Sequence, residues 1–517
     1  MRQPDPGTLA RRTLLTVSVA SAMTTMDITI VNVALPAIAD DLSATFPQLQ
    51  WTVNAYPLLF AALLLAGGSL SDRVGRRRIF VTGVLLFTGG SLLCGLAPDP
   101  LVLIAGRAVQ GIGGAFILAP AVPLLAAAYP GERRTVAIGV FSATAAVSAA
   151  LAPLIGGALV ASLGWRSVFL VNLLPGVFVL LGAARWLTGA GPQGKRRLDL
   201  VGAVLGVVSL GAVNLAVISG ADDGWTSPVA MTAVVVALIG LAAFVTVESR
   251  TNDPMLDLGL FRIRAFTGAS LLSFLTRAVG FGTMPYLVLW LQGMLGYSAL
   301  QAGLQLSALS GAIVAGSLAV ARLQRRYGNR LVVTAGFVAV LAGYLLVARV
   351  SADSTWWVAL PGLLLVGGGM GLLFAPLMGI SVSVVPPQQA GMASGTANAF
   401  FPLGTAVGAA VFGAVLSARI GAGLPDQDLA RHGVSEGEEG GVRQLVASGR
   451  FTDLPADVTE LARIAFADGL STVAWVAAAA AAVGVAVALL TIPSRRSPAD
   501  TRARHDPAPP RAHTTNQ

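Results

Sequence analysis

"TTMDITIVNVALP", residues 24–36, reads as a membrane helix with one residue out of place. Asp27 interrupts an apolar run that begins near Thr13 and ends near Leu35. A carboxylate at such depth costs roughly 2.5–3.5 kcal/mol on insertion scales, so it calls for a partner, a water-filled cavity or a function. The run is too long for the apolar region of a signal peptide, and equivalents follow it from end to end, so it reads as a retained first span.

The 517-residue chain is 55% hydrophobic and 11% charged, with a mean hydropathy of +0.75. Soluble domains carry about 25% charged residues, so the class is a polytopic membrane protein. Cys94 is the single cysteine, which excludes an intramolecular disulfide. His432, His505 and His513 all lie in polar segments, which argues against the usual haem and zinc sites. The net charge of +9 comes almost wholly from arginine, Lys195 being the single lysine. It points to a basic face against anionic lipid, not to nucleic acid.

Apolar runs predict about fourteen spans, near 13–35, 50–70, 79–97, 101–126, 137–160, 166–187, 199–219, 228–248, 265–292, 301–321, 331–350, 356–384, 392–417 and 466–492. Arginines or Lys195 follow the second, fourth, sixth, eighth and tenth spans, while "PDP" (98–100) and "GADDGW" (220–225) have none. The positive-inside rule then places both termini in the cytoplasm. The domain expectation is a cytoplasmic N-terminus (1–12), a six-helix half (13–187), an inserted helix pair with its flanking loops (188–264), a second six-helix half (265–492) and a disordered tail (493–517). The second half includes a long outside loop, 418–465, for which a small helical cap and a mobile segment are both open readings. "SDRVGRRR" (71–78) and "RRYGNR" (325–330) place a glycine and arginines at the same point of each half, as parallel halves of a transporter would.

Helical rise puts Asp27 about 12 Å from the end of its run and Arg107, six residues into the fourth span, about 9 Å deep from the same side. Burial raises a carboxylate's pKa and a nearby cation lowers it, so the two form a candidate proton-coupling pair. A static ion pair that fixes helix packing is the competing reading. Thr24, one turn before Asp27, together with Gln110 and Arg277, is a candidate for the substrate cavity. The glycine-rich "QGIGGAF" (110–116) and "GGGMG" (367–371) lack a phosphate-loop pattern and read as helix-packing surfaces. Pro153 with Gly156 and Gly157 marks a bendable, closely packing stretch. In the second turn, Asp72 could pair across the two halves and hold one face shut.

These stretches resemble the major facilitator superfamily and, within it, the fourteen-span drug:proton antiporters. "MDITIVNVALPAI" (26–38) is similar to the first-span motif and "RAVQGIGGA" (107–115) to the fourth-span motif of proton transfer. "GSLSDRVGRRR" (68–78) matches the cytoplasmic gating motif at Gly68, Asp72, Arg73, Gly75 and Arg76, and "APLIGG" (152–157) resembles the antiporter motif. "GWRSVFLVN" (164–172) continues the pattern. Ala152 stands where a glycine is usual, "NLLPG" (172–176) has one residue too many, and Phe401 and Pro402 replace a more polar pair.

The resemblance implies an all-α membrane fold of two six-helix halves plus an inserted pair. It implies a proton-coupled antiporter in a bacterial cytoplasmic membrane that exports lipophilic drugs or antibiotics. Such a carrier needs no cofactor, runs on the proton gradient, and acts as a monomer without enzymatic activity. A proton-coupled importer of a metabolite is the alternative, and a polytopic membrane enzyme a remote one.

Overall fold

The computed structural model describes residues 6–129, 132–187, 199–222, 224–251, 254, 256–385 and 390–493, and these fold without a strand. Lys195 and the tail after Pro493 lie outside the described residues. The N-terminal part runs through α1 (Pro6–Leu42), α2 (Phe46–Val74), α3 (Arg76–Gly95), α4 (Pro100–Ala128) and α5 (Glu132–Leu163). Its last crossing is broken into α6 (Ser167–Leu170) and α7 (Leu173–Trp186). A pair follows, α8 (Leu200–Asp222) and α9 (Pro228–Arg250). The C-terminal part holds α10 (Arg264–Phe281), α11 (Met284–Leu289), α12 (Ala299–Val347), α13 (Trp356–Ser383) and α14 (Ala390–Gly423). Two short helices, α15 (Asp426–Arg431) and α16 (Glu439–Ala447), precede α17 (Ala456–Thr491).

Among the described residues, eleven helical segments are long and apolar enough to cross a membrane, and α2, bent by 52° after Leu64, makes a twelfth. In this set α12 counts once, although Gly328 at φ 80° breaks it. A Cβ on Gly367 of α13 would meet Leu309, and one on Gly371 would meet Ile313 and Gly316, so the first limb of α12 runs parallel to α13. On the second limb Gly336 meets Gly369, and Gly343 meets Gly362, so that limb runs the opposite way. The 32 residues of α5 add about 48 Å of helix. This architecture is consistent with the fourteen expected spans.

The first helix departs from its expected bounds: it continues through Pro36 to Leu42, seven residues past the apolar run. Its polar end is anchored, with Asp41 accepting from Trp165 Nε1 at 3.0 Å and pairing with Arg166. At the same end, residues 424–455 form a helical cap. Leu429, Val442, Val446 and Phe451 bury into the C-terminal core, and Arg450 reaches Asp40 of α1 at 3.3 Å. Of the segment 418–465, read from sequence as either cap or mobile loop, 424–455 forms this cap, while its first residues finish α14 and its last begin α17.

The opposite end carries the arginines, and there the internal echo becomes geometry. Gly75 (φ 110°) and Gly328 (φ 80°) make equivalent turns. Two residues on, Arg77 donates to the carbonyls of Ala183 (3.0 Å) and Ala184 (2.8 Å), and Arg330 donates to the carbonyl of Leu489. Each half thus uses one arginine to satisfy the orphan carbonyls that end its last helix. Arg73 and Arg78 are exposed, and Asp72 pairs with Arg76 of the next turn at 3.1 Å. Among the described residues Asp72 has no partner in the other half; the one it has, Arg76, lies four residues along the same stretch. A Cβ on Gly68 would meet nothing within 4 Å, whereas the backbone of Gly75 requires glycine.

Gly75→Ala and Gly328→Ala are each expected to destabilise the fold by about 1–3 kcal/mol, because the turn conformation is strained for any residue with a Cβ. Thermal unfolding in detergent checks this, with Gly379→Ala, where a Cβ meets nothing within 4 Å, as the near-neutral control.

Candidate functional site

The site grows from three helices that approach closely. On α4, glycines line two faces: a Cβ on Gly111 would sit 2.5 Å from the carbonyl of Tyr56, and one on Gly106 would sit 2.6 Å from Cys94 Sγ. This pulls α4 against α2 and α3, so that Arg107 and Gln110, one turn apart, enter the protein interior instead of the lipid. Both are fully buried, as is Asp27 on α1.

There the sequence-predicted pair forms. Arg107 Nη1 donates to Asp27 Oδ2, the only ion pair among the described residues with both side chains at 0% exposure. Arg107 Nη1 also donates to Gln110 Oε1 at 2.9 Å, and Nε to the Thr52 carbonyl at 3.1 Å. The guanidinium carbon lies 4.7 Å from the centroid of the Tyr56 ring, a cation–π distance, and Tyr56 in turn donates to the Thr24 carbonyl at 3.1 Å. The other carboxylate oxygen, Asp27 Oδ1, accepts from Gln110 Nε2 (3.1 Å) and Asn172 Nδ2 (2.9 Å). Gln110 Nε2 also reaches Ser91 Oγ at 2.8 Å. Three donors therefore hold the carboxylate in place of water. This is the arrangement that makes a buried charge tolerable, because unpaired it would cost several kcal/mol.

The remaining candidates fall elsewhere. Gln110 belongs to the carboxylate network. Thr24 is fully buried and spends its hydroxyl on the carbonyls of Ala20 and Ser21, so its part is to anchor Tyr56 through its own carbonyl. Arg277 lies in the other half, partly buried between the rings of Phe281 (4.6 Å) and Phe374 (4.7 Å). Pro153, Gly156 and Gly157 sit on contacts of α5. A Cβ on Gly157 would lie 2.5 Å from the Ala299 carbonyl of α12, one on Gly156 would lie 2.8 Å from Ile30 of α1, and the Pro153 carbonyl closes on Gly303. The antiporter-like stretch is thus a junction between α1, its own half's first helix, and α12 of the other half. Sequence reading missed Asn172, Ser91 and Tyr56; the available signal was a polar residue inside an apolar run, visible at 172 and 91 but with no spacing to tie either to Asp27.

Among the described residues, the hydrogen bonds and ion pairs that join the two halves lie toward the capped end. Gln292 Nε2 donates to the Val33 carbonyl at 2.8 Å, Asn32 faces Met284, Gln50 faces Tyr286, and Arg450 meets Asp40. That end is shut across α1, α2, α11 and the cap.

Two helical halves closed at one end, with a buried acid–base pair in the first, define a membrane carrier. The family model for the Major Facilitator Superfamily matches residues 17–409, and the chain belongs to that family. It is 36% identical to the Multidrug resistance protein Stp of Mycobacterium tuberculosis over 413 residues, 80% of this chain and 77% of that one. It is 38% identical to the Cephamycin export protein CmcT of Amycolatopsis lactamdurans over 409 residues, 78% of this chain and 84% of that one. Among solved structures, it matches a bacterial homologue of the human lysosomal transporter Spinster, inward-facing and unoccupied, with a TM-score of 0.65 and 18% identity. That match covers 96% of this chain and 100% of the other, and it bears on the fold.

Removing one member of the buried pair strands the other. Arg107→Leu is expected to destabilise by about 3–5 kcal/mol. In a double-mutant cycle, adding Asp27→Asn to Arg107→Leu is expected to restore much of that loss. Thermal unfolding of the single and double variants in detergent measures the coupling.

Proposed function

We propose that this protein is a proton-coupled antiporter that exports lipophilic drugs or antibiotics from a bacterial cell. The names of its relatives support the substrate class: the chain is 36% identical to a multidrug resistance protein and 38% identical to an antibiotic export protein. The proton-coupling reading rests on one observation, the fully buried carboxylate of Asp27 held by Arg107, Gln110 and Asn172. A carboxylate in a membrane interior is a proton acceptor whenever water and its cation partner withdraw.

The arginine-rich end faces the cytoplasm in this reading, by the positive-inside rule, and the capped end faces outward. Asp27 takes a proton when the halves part on the outer side. Protonation cancels the charge that Arg107 neutralises, and it favours return to the outer-closed form, where the proton leaves to the cytoplasm and substrate binds. Substrate and proton need only disfavour each other's binding for the cycle to couple them. The gradient supplies the energy, a single chain suffices, and no cofactor takes part. Gly157 and Gly303 give the close α5–α12 contact on which the halves rock, and Gly156 seats α5 against α1.

The test uses purified protein in liposomes under an imposed pH gradient, with a panel of lipophilic cationic dyes and antibiotics. Gradient-driven movement is expected for wild type and lost in Asp27→Asn, with substrate binding retained. Driven movement undiminished in the variant contradicts the proton role of Asp27.

A further inference from the structure

Two buried polar atoms beside Asp27 lack a partner among the described residues, Arg107 Nη2 and Asn172 Oδ1, and the second is an acceptor next to an acid. Asn172 is fully buried in the two-residue turn that separates α6 from α7. Its backbone is engaged, the N–H donating to the Phe169 carbonyl at 3.1 Å and the carbonyl accepting from Gly176 N at 2.9 Å. Its Nδ2 donates to Asp27 Oδ1, and its Oδ1, buried beside that bond, has no hydrogen-bond partner among the described residues. A buried acceptor left unsatisfied costs about 1–3 kcal/mol, so its retention next to a carboxylate asks for a second state in which it is used.

Protonation of Asp27 supplies that state. Arg107 faces Oδ2, so a proton that adds to the carboxylate settles on Oδ1. The new O–H then needs an acceptor. The neighbouring Gln110 Oε1 already takes Arg107 Nη1 at 2.9 Å and the Cys94 thiol at 3.5 Å, and Gln110 Nε2 is a donor shared with Ser91. The Asn172 amide is left. Turned by half a turn about its last side-chain bond, it presents Oδ1 to the acid. One hydrogen bond, Asn172 N–H to carboxylate, is exchanged for another, Asp27 O–H to Asn172 carbonyl, and the proton stays on Asp27.

The titratable and charged groups facing Asp27 are few. Arg107 comes from α4, Tyr56 from α2, and Cys94 from α3 through Gln110. The described charged residues of α5 and α7 lie at or beyond their helix ends, and α6 and its turn bring only Asn172 to the carboxylate.

We propose that Asn172 is a positioning residue for the proton site, an amide that donates to ionised Asp27 and accepts from protonated Asp27, and so passes the protonation state to the α6–α7 break. This rests on the reading of Asp27 as a proton carrier. It differs from a packing role in that both amide functions are needed.

Infrared titration of the whole protein in lipid nanodiscs tests it through the carboxylic-acid band that Asp27→Asn removes. Asn172→Leu keeps the volume and deletes donor and acceptor; Asn172→Gln keeps both. In Asn172→Leu the Asp27 acid band is expected to move to higher frequency, as a freed carboxyl does. Its midpoint is expected to move to higher pH by about half a unit to one unit, the worth of a donor to the charged form less that of an acceptor to the neutral form. The midpoint of gradient-driven transport moves with it, and Asn172→Gln restores both toward wild type. An Asp27 band present in wild type and unmoved in frequency and midpoint by Asn172→Leu overturns the role of Asn172 and leaves the proton site standing. Absence from wild type of any titrating band that Asp27→Asn removes overturns the proton site itself, and this proposal with it. Should Asn172→Leu fail to fold, Asn172→Ala gives the same two readings.

Discussion

A carboxylate and a guanidinium, both removed from water inside a membrane protein, constrain everything packed around them. Their attraction at contact is large in such surroundings, but so is the cost of desolvating each, and the sum is favourable only when every remaining lone pair and N–H finds a partner. The glycines of α4 go most of the way by bringing α2 and α3 within reach, leaving Arg107 Nη2 and Asn172 Oδ1 without partners among the described residues. Thr52 then gives its carbonyl, Ser91 fixes Gln110, and Tyr56 covers the cation face. The break between α6 and α7 brings in Asn172. The N-terminal half is built around this charge pair as much as around its apolar core.

The C-terminal half repeats the turn geometry without the pair. Gly75 with Arg77 and Gly328 with Arg330 perform the same local task. Among the described residues no second ion pair has both side chains fully buried, and Arg277 of this half stacks against the rings of Phe281 and Phe374. This asymmetry suits a carrier in which one half holds the ion and both form the moving seam. Polar contacts across that seam gather at the capped end, where residues 424–455 tie α1 to the other half through Asp40 and Arg450.

Much of the architecture is legible in the sequence because a bilayer permits few solutions: long apolar runs must be helices, and arginines mark the turns between them. The pairing of Asp27 with Arg107 is legible for a related reason, since two charges at similar depth have little else to bind. Helix ends are less legible. Nothing in the apolar run shows that α1 continues through Pro36 to Asp41, because the partners that hold it, Trp165 and Arg166, lie over a hundred residues away. Asn172 is hidden for the same reason. Its role depends on a helix break, and breaks inside apolar runs leave little mark on hydropathy. The cap at 424–455 is set by contacts with α17 and α11 that no local pattern reveals.

In the proposed cycle one buried carboxylate exchanges a proton as the halves exchange a substrate. Purified protein in weakly buffered detergent solution, titrated with a lipophilic cationic dye that it binds, measures this most directly. A pH indicator then reports protons as binding proceeds. Proton release that rises with dye bound, and that vanishes in Asp27→Asn while the dye still binds, is the expected result. Binding without proton release in wild type, or release that persists in the variant, contradicts it.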